Sequence, residues 1–201
     1  MDLFRRQPPG TGSRRSQTGV LQGHILIASP GAEDPMIEKA VCFVVSHNNH
    51  GAMGLLVNKP VANISFVDLL KQLSIHTRVE AQVPVQFGGP RETARGFVLH
   101  SIDYSGQDAT VGVINGVNLT TTVDILRDIA EGRGPKQAMV ALGYLSWPSG
   151  VLEREMGDNL WQHCTPDEFL LYSPDFAAKW THAIRKLGCD PSQFSRHSGR
   201  A

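Results

Sequence analysis

The sequence predicts one α+β domain, a mixed sheet with helices packed around it, and three observations carry that prediction. Short apolar or β-branched runs bounded by Gly, Pro and Asn outnumber the helical segments. Strands and helices do not alternate one for one, which argues against a doubly wound parallel sheet. A chain of 201 residues, 41% hydrophobic and 19% charged, is long enough and apolar enough to bury a single core. No repeat, low-complexity segment or internal linker divides it.

Residues 24–29 and 41–46 read as the first two strands, bounded by Pro30-Gly31 and by the polar cluster His47-Asn48-Asn49-His50-Gly51. A third strand over 53–57 stops at Asn58-Lys59-Pro60, because proline has no amide donor and restricts the residue before it. Ser65 then opens a helix. Asp68 completes a capping box, Ile64 and Leu69 are placed for a hydrophobic staple, and Phe66, Leu69, Leu70 and Leu73 form the buried stripe. Residues 84–87 and 96–100 are strands on either side of Gly88-Gly89-Pro90, and 110–114 is a strand ended by Asn115-Gly116. A second helix covers 123–131, started by a Thr121-x-x-Asp124 capping box and stopped by Gly132, with Pro135 beyond. Residues 137–142 form a buried strand leading to a third helix that begins at Ser149 or Gly150, with Ser149 as its N-cap. Residues 169–172 are expected as the last strand. The final helix, 176–187, is capped by Asp175 and stopped by Gly188, with Phe176, Trp180, Ile184 and Leu187 on one face.

Nineteen basic and nineteen acidic residues balance to zero, which removes the electrostatic footprint of a non-specific nucleic-acid binder. The apolar runs are too short to span a bilayer. Cys42, Cys164 and Cys189 are odd in number and widely spaced, so neither a disulfide framework nor a zinc knuckle is written in them, and reduced thiols in a cytoplasmic protein are expected. Residues 1–18 carry Arg5-Arg6 and Arg14-Arg15 without a following apolar segment; they read as a disordered basic arm, not a signal peptide.

The common catalytic templates are missing: no phosphate loop, no dinucleotide fingerprint, no G-x-S-x-G elbow and no H-E-x-x-H helix. What stands out instead is the stretch from Ala141 to Glu155, where an apolar run breaks into glycine, aromatics and proline before a charged helix start. Glu153 and Glu155 are two apart, so helical geometry turns them to nearly opposite sides, and both sit where a helix dipole favours acids. Ser146 and Ser149 read as turn and cap residues. His47 and His50 are spaced for a shared metal but sit in a turn, and two ligands do not make a site. His100 closes a strand as a general base or as a satisfied structural histidine. Gly88-Gly89-Pro90 and Gly143-Tyr144 permit close backbone approach, to a ligand or to another strand. Tyr144, Trp147 and Trp161 are core residues, or a stacking platform.

The ordered motifs are more specific than any one of them. Leu21-x-Gly23-His24-x-Leu26-Ile27-Ala28-x-Pro30 is followed by Gly51-Ala52-Met53-Gly54-x-x-x-Asn58-x-Pro60, Gly88-Gly89-Pro90 and Gly96-Phe97-Val98-Leu99-His100. Gly134-Pro135, Leu142-Gly143-Tyr144-x-x-Trp147, Leu152-Glu153-x-Glu155 and Trp161 complete the set. Over residues 20–201 the chain resembles the YqgE/AlgH family of bacterial proteins; the basic arm lies outside the resemblance. The resemblance implies a single α+β domain whose bifurcated mixed sheet curls into a pseudo-barrel with helices around it. It brings no established enzymatic activity, and the AlgH name reflects a proposed role in regulating alginate synthesis and transcription. No helix-turn-helix signature accompanies it, so direct DNA binding is doubtful. Val151 stands where the family usually has glutamine, and Ile37 where an aromatic is common.

The resulting expectation is a non-enzymatic regulatory or interaction protein, without catalytic residue, metal or cofactor and without membrane association. A protein or small-molecule partner would be bound through Asn58, Gly88, Gly89, Pro90, His100, Gly143, Tyr144, Trp147 and Glu153. The alternatives are a hydrolase using His100 and Glu153 as acid and base, and a nucleic-acid binder using the arginine arm and the aromatics.

Overall fold

The structure is a computed structural model and describes residues 21–30, 34–62, 64–79, 82–105 and 109–190. The expected basic arm lies outside the described residues. In chain order the elements are β1 (Ile25–Ala28), β2 (Val41–Asn48), β3 (Gly51–Leu56), α1 (Phe66–Gln72), β4 (Val85–Phe87), β5 (Arg91–Ser101), β6 (Thr110–Ile114), β7 (Val117–Thr120), α2 (Asp124–Ala130), β8 (Ala138–Pro148), α3 (Val151–Gly157), β9 (Trp161–Cys164), α4 (Glu168–Tyr172) and α5 (Phe176–Lys186).

The strands form one sheet in the order β6-β7-β5-β8-β3-β2-β1-β9, and β4 joins β8 beside that path. The β4–β8 pair is parallel and the other named pairs are antiparallel, so the sheet is mixed. It forks at β8. Residues 138–142 pair with β5 on one side and, from 140, with β4 on the other, whereas 145–148 pair with β3. Between the two halves Gly143 takes φ +74, a conformation that costs glycine little. The sheet then curls so that the segment before β1 reaches the β6 edge: Gln22 donates its side-chain amide to the Val113 carbonyl of β6 at 3.1 Å.

Period-two alternation in the strands gives the curled sheet two apolar faces. Ile25, Ile27, Phe43, Leu55, Leu99 and Met139 point into the concave side, where α4 and α5 cover them with Leu170, Leu171, Trp180 and Ile184. Leu26, Cys42, Val44 and Leu56 face the other way, under Leu152 of α3 and Trp161. A third layer packs Phe66 and Leu70 of α1 and Ile125 and Ile129 of α2 on Val85, Val98 and Val140.

The Ser65–Asp68 capping box forms as the sequence predicts, and so do the Asp175 cap of α5 and the positive φ of Gly188 beyond it. Five expectations are corrected. Residues 169–172 are helical, not extended, because the Asp167 carboxylate accepts the Leu170 amide at 2.9 Å and nucleates a turn. The Thr121 capping box does not form; α2 begins at Val123 without a side-chain cap. At α3 the N-cap is Gly150 with φ +75, not Ser149. The strand expected over 137–142 runs on to Pro148, so the apolar run does not break at the glycine. Leu73 is exposed, ending the α1 stripe at Leu70. Strands β7 and β9 were not predicted.

Candidate functional site

The carboxylates of α3 tie that helix to the sheet. Glu153 accepts from His47 Nε2 at 3.0 Å, reaching the buried imidazole of β2 from a half-exposed position. Glu155 uses one oxygen to accept both the Trp147 and the Trp161 indole N–H, at 2.8 and 2.9 Å, and the two indoles meet edge to face. Helical spacing separates the two acids as expected, and each finds a separate partner. His50, on the turn, is exposed and bonds through its backbone amide to Asn48 Oδ1.

Gly88, Gly89, Pro90, Gly143 and Tyr144 do come together, at the fork. A β-carbon on Gly88 or Gly143 would overlap a carbonyl oxygen of the facing segment, and one on Gly89 would overlap the Tyr144 backbone. Beside this crossing β5 bulges outward between Arg91 and Gly96. Glu92 holds φ +45 there, and its carboxylate accepts from the Tyr144 hydroxyl at 2.9 Å and from Arg95 at 3.2 Å. These hydrogen bonds, Tyr144 first, hold the Glu92 carboxyl below its usual range, and the same bond raises the Tyr144 phenol.

His100 lies elsewhere. It is fully buried and donates from Nδ1 to the Ser101 carbonyl at 2.8 Å, while Nε2 accepts from the Thr120 hydroxyl at 2.9 Å. Burial pushes its imidazole below the ordinary value, partly offset by the Ser101 carbonyl and Asp103. His100 spends both ring nitrogens on Ser101 and Thr120, whereas Glu153 bonds to His47 of β2, so His100 and Glu153 share no partner and do not form one acid–base pair. Asn58 is a third location: its side chain accepts from the Val41 amide and donates to the Lys39 carbonyl, both at 2.8 Å, fastening the segment after β3.

None of these residues lines the large groove, of about 960 Å³, that crosses one end of the sheet. One wall is α1 and the turn between α2 and β8, with Val61, Phe66, Val67, Ile129 and Pro135; the floor is Val83, Pro84 and Val85; the other wall is Phe169, Tyr172, Pro174 and Phe176. The formal charges in the lining are Lys136 and Glu168, both exposed. Behind the α4–α5 wall sits Lys179, fully buried, donating to the carbonyls of Val57 at 2.8 Å and Leu171 at 3.3 Å. Burial lowers its ammonium from 10.5 to about 7. Tyr172 packs against the concave core, its hydroxyl buried without a partner among the described residues, and burial raises its phenol. Sequence reasoning missed this region. The signal was there in Lys179, which helical spacing puts on the same side as Phe176, Trp180 and Ala183.

Among the described residues no group of three or more His, Cys, Asp and Glu is placed to hold a metal ion, and no helix is long and apolar enough to cross a membrane. The cysteines are free thiols, Cys42 buried, Cys164 half-buried and Cys189 exposed.

A forked, curled mixed sheet with, among the described residues, five helices defines the class: a single α+β domain of the half-barrel kind. The chain belongs to the AlgH-like family, DUF179, whose model matches residues 25–192. It is 43% identical over 212 residues to a UPF0301 protein of Nitrobacter hamburgensis, covering 98% of each chain. A UPF0301 protein of a Bradyrhizobium species is 42% identical over 205 residues, covering 98% of this chain and 95% of the relative. The solution structure of the AlgH protein from Pseudomonas aeruginosa superposes with a TM-score of 0.71 at 32% identity, covering 98% of this chain and 100% of that one. Protein DIP2367 from Corynebacterium diphtheriae shares the fold at 14% identity, TM-score 0.71, covering 96% and 95%.

Proposed function

We propose that this chain is a non-enzymatic regulatory protein that acts by binding, with a small apolar ligand seated in the groove between α1, the α2–β8 turn and the α4–α5 pair. The observation that carries this reading is the lining: apolar and aromatic side chains from two helical layers meet over about 960 Å³, a volume suited to a small molecule. The polar groups of the Ala141 to Glu155 stretch bond to neighbouring side chains and serve as frame. On this reading any effect on transcription passes through a partner, consistent with a net charge of zero. Three free thiols support a cytoplasmic location.

Titration with the neutral apolar dye N-phenyl-1-naphthylamine tests the groove. Saturable binding near one dye per chain is expected, weakened about fivefold or more in Phe176→Ala and in Phe169→Ala, since each removes a large aromatic wall. No binding to the unaltered protein, or the same affinity in both folded variants, would refute the reading.

A second surface is favoured by one observation, the positive φ of Glu92 in an exposed bulge that Tyr144 and Arg95 hold in place. It is a preorganised display of Arg91 and Thr93 for a protein partner. Tyr144→Phe removes one of its two ties, and unchanged recovery of a partner by that variant would count against it.

A further inference from the structure

One pair of imidazoles takes no part in the hydrogen bonding of the fold. His24 stands directly before β1, and His163 on β9 pairs with Leu26, two residues after His24. Period-two alternation therefore sets both side chains on the same face of the sheet, on a diagonal that rings can span. They meet edge to face, with centroids 5.4 Å apart and planes at 73°. Neither ring forms a hydrogen bond with another described residue. His24 is half-buried, its Nδ1 enclosed without a partner, whereas His163 is open to solvent.

Other histidines of the domain are tied down: His47 to Glu153, His100 to Ser101 and Thr120, His182 to Asp167. His24 and His163 have each other. Partial burial, and then the charge of His24, hold the His163 imidazole below its ordinary value. That keeps the ring neutral near neutral pH, the state whose lone pair can ligate a metal. No carboxylate offsets the pair, since the charged neighbour acting on His163 is His24 itself. Two neutral imidazoles side by side, with ring nitrogens to spare, are the donor set of a borderline-soft divalent cation.

The spacing of the rings selects the coordination geometry. With Zn–N bonds of roughly 2.0 to 2.1 Å, two imidazoles on a tetrahedral zinc ion hold their centroids about 5.2 Å apart, against about 4.5 Å at the right angle of square-planar copper. The observed 5.4 Å matches the tetrahedral arrangement. We propose that His24 and His163 bind one zinc ion on the face of the β1–β9 pair that carries Leu26, with water completing the tetrahedron. The ion arrives from solvent at the exposed His163. Two protein ligands are half a zinc shell, and neither ring has the outer hydrogen bond that tightens resident sites, so the ion is exchangeable. Strand β9 ends the sheet and pairs, among the described residues, with β1 and no other strand. Zinc bridging the two strands fastens that edge when the metal is abundant. Neither histidine lines the groove, so zinc and a groove ligand bind apart.

Calorimetric titration of the full-length chain with zinc chloride tests the site, at about pH 7.5, where imidazole is neutral. Cys189→Ser serves as the background, which removes the exposed thiol as a competing ligand. One zinc ion per chain is expected, with a dissociation constant in the low micromolar range. His24→Gln and His163→Gln should each weaken it about tenfold or more, since even an outer-shell partner of a metal is worth about 10 to 100 in affinity. His50→Gln, on the exposed turn after β2, should leave it unchanged. A second measurement needs no histidine variant to fold: in carbon–proton correlation spectra the ring signals of His24 and His163 should shift together, with one zinc midpoint. Any of four results overturns the site: no zinc bound at submillimolar concentration, equal affinity in folded His163→Gln, movement of one ring signal without the other, or a loss confined to His50→Gln, which would move the metal to the turn.

Discussion

Replacing Lys179 by methionine separates electrostatics from packing in the core. The side chain is fully buried and its ammonium is held at about 7 rather than 10.5, with burial as the cause. That fall corresponds to about 5 kcal/mol between a proton held in water and one held in place. Below pH 7 the amine is protonated in both folded and unfolded chains, and the folded state bears the full cost. Between about 7 and 10.5 the unfolded chain binds more protons, so stability rises with pH; above 10.5 both states are neutral and the cost is gone. Methionine has a similar volume and no proton, though it leaves the Val57 and Leu171 carbonyls without their donor, at about 1 to 3 kcal/mol each. The absolute change at one pH is therefore a near-balance, and the pH dependence is the diagnostic quantity. Urea unfolding followed by tryptophan fluorescence should show the original protein gaining about 2 to 3 kcal/mol on the variant between pH 7 and 9. Groups that titrate in both proteins cancel in that comparison. A difference constant to within about 0.5 kcal/mol across the range would refute a neutralising buried amine.

Other substitutions test the frame. Glu155→Ala leaves two indole N–H groups without their acceptor and should cost about 2 to 4 kcal/mol in urea unfolding, whereas a loss below about 1 kcal/mol would mean that Glu155 is not the tie between β8 and β9. Gly143→Ala puts a β-carbon into the Gly89 carbonyl at a positive φ and should abolish or severely destabilise the fold; Gly150→Ala shares the positive φ but meets open space and should cost only about 1 kcal/mol. Similar melting temperatures for these two alanine variants would contradict the close crossing at the fork. Thr120→Val removes the donor to His100 Nε2 and should cost about 1 to 3 kcal/mol, measurable as a fall in the urea midpoint.

Local signals were legible where both partners are near in sequence. Ser65 and Asp68 form their capping box because nothing outside the helix competes for them, and Asp175 likewise reaches its own first turn. The same signature failed at Thr121 and Asp124, where α2 opens at Val123 with no side-chain cap. Four apolar residues at 169–172 carry no decisive period, and the Asp167 cap settled them as helix. Strand β9 was hidden because Gln162 and His163 lie exposed on an edge; its register comes from pairing with β1, more than 130 residues earlier. At the Ala141 to Glu155 stretch the geometry of the acids was readable and their partners were not, since His47 and Trp161 arrive from other elements. The groove is entirely of this second kind, assembled from α1, β4, the α2–β8 turn, α4 and α5.

The fork at β8 also sets an order of events on the ribosome. β8 supplies partners to β3, β4 and β5, yet it is made after all of them, and β3 lies about ninety residues upstream. Until Ala138–Pro148 emerges, the Gly51–Gly54 edge of β3 and one edge of β5 lack the strand that pairs with them. Such late, long-range closure slows folding and leaves bare strand edges that invite association between nascent chains. Strand β8 thus times the closure of the forked sheet, while the covering of its concave face waits for α4 and α5, which are made later still.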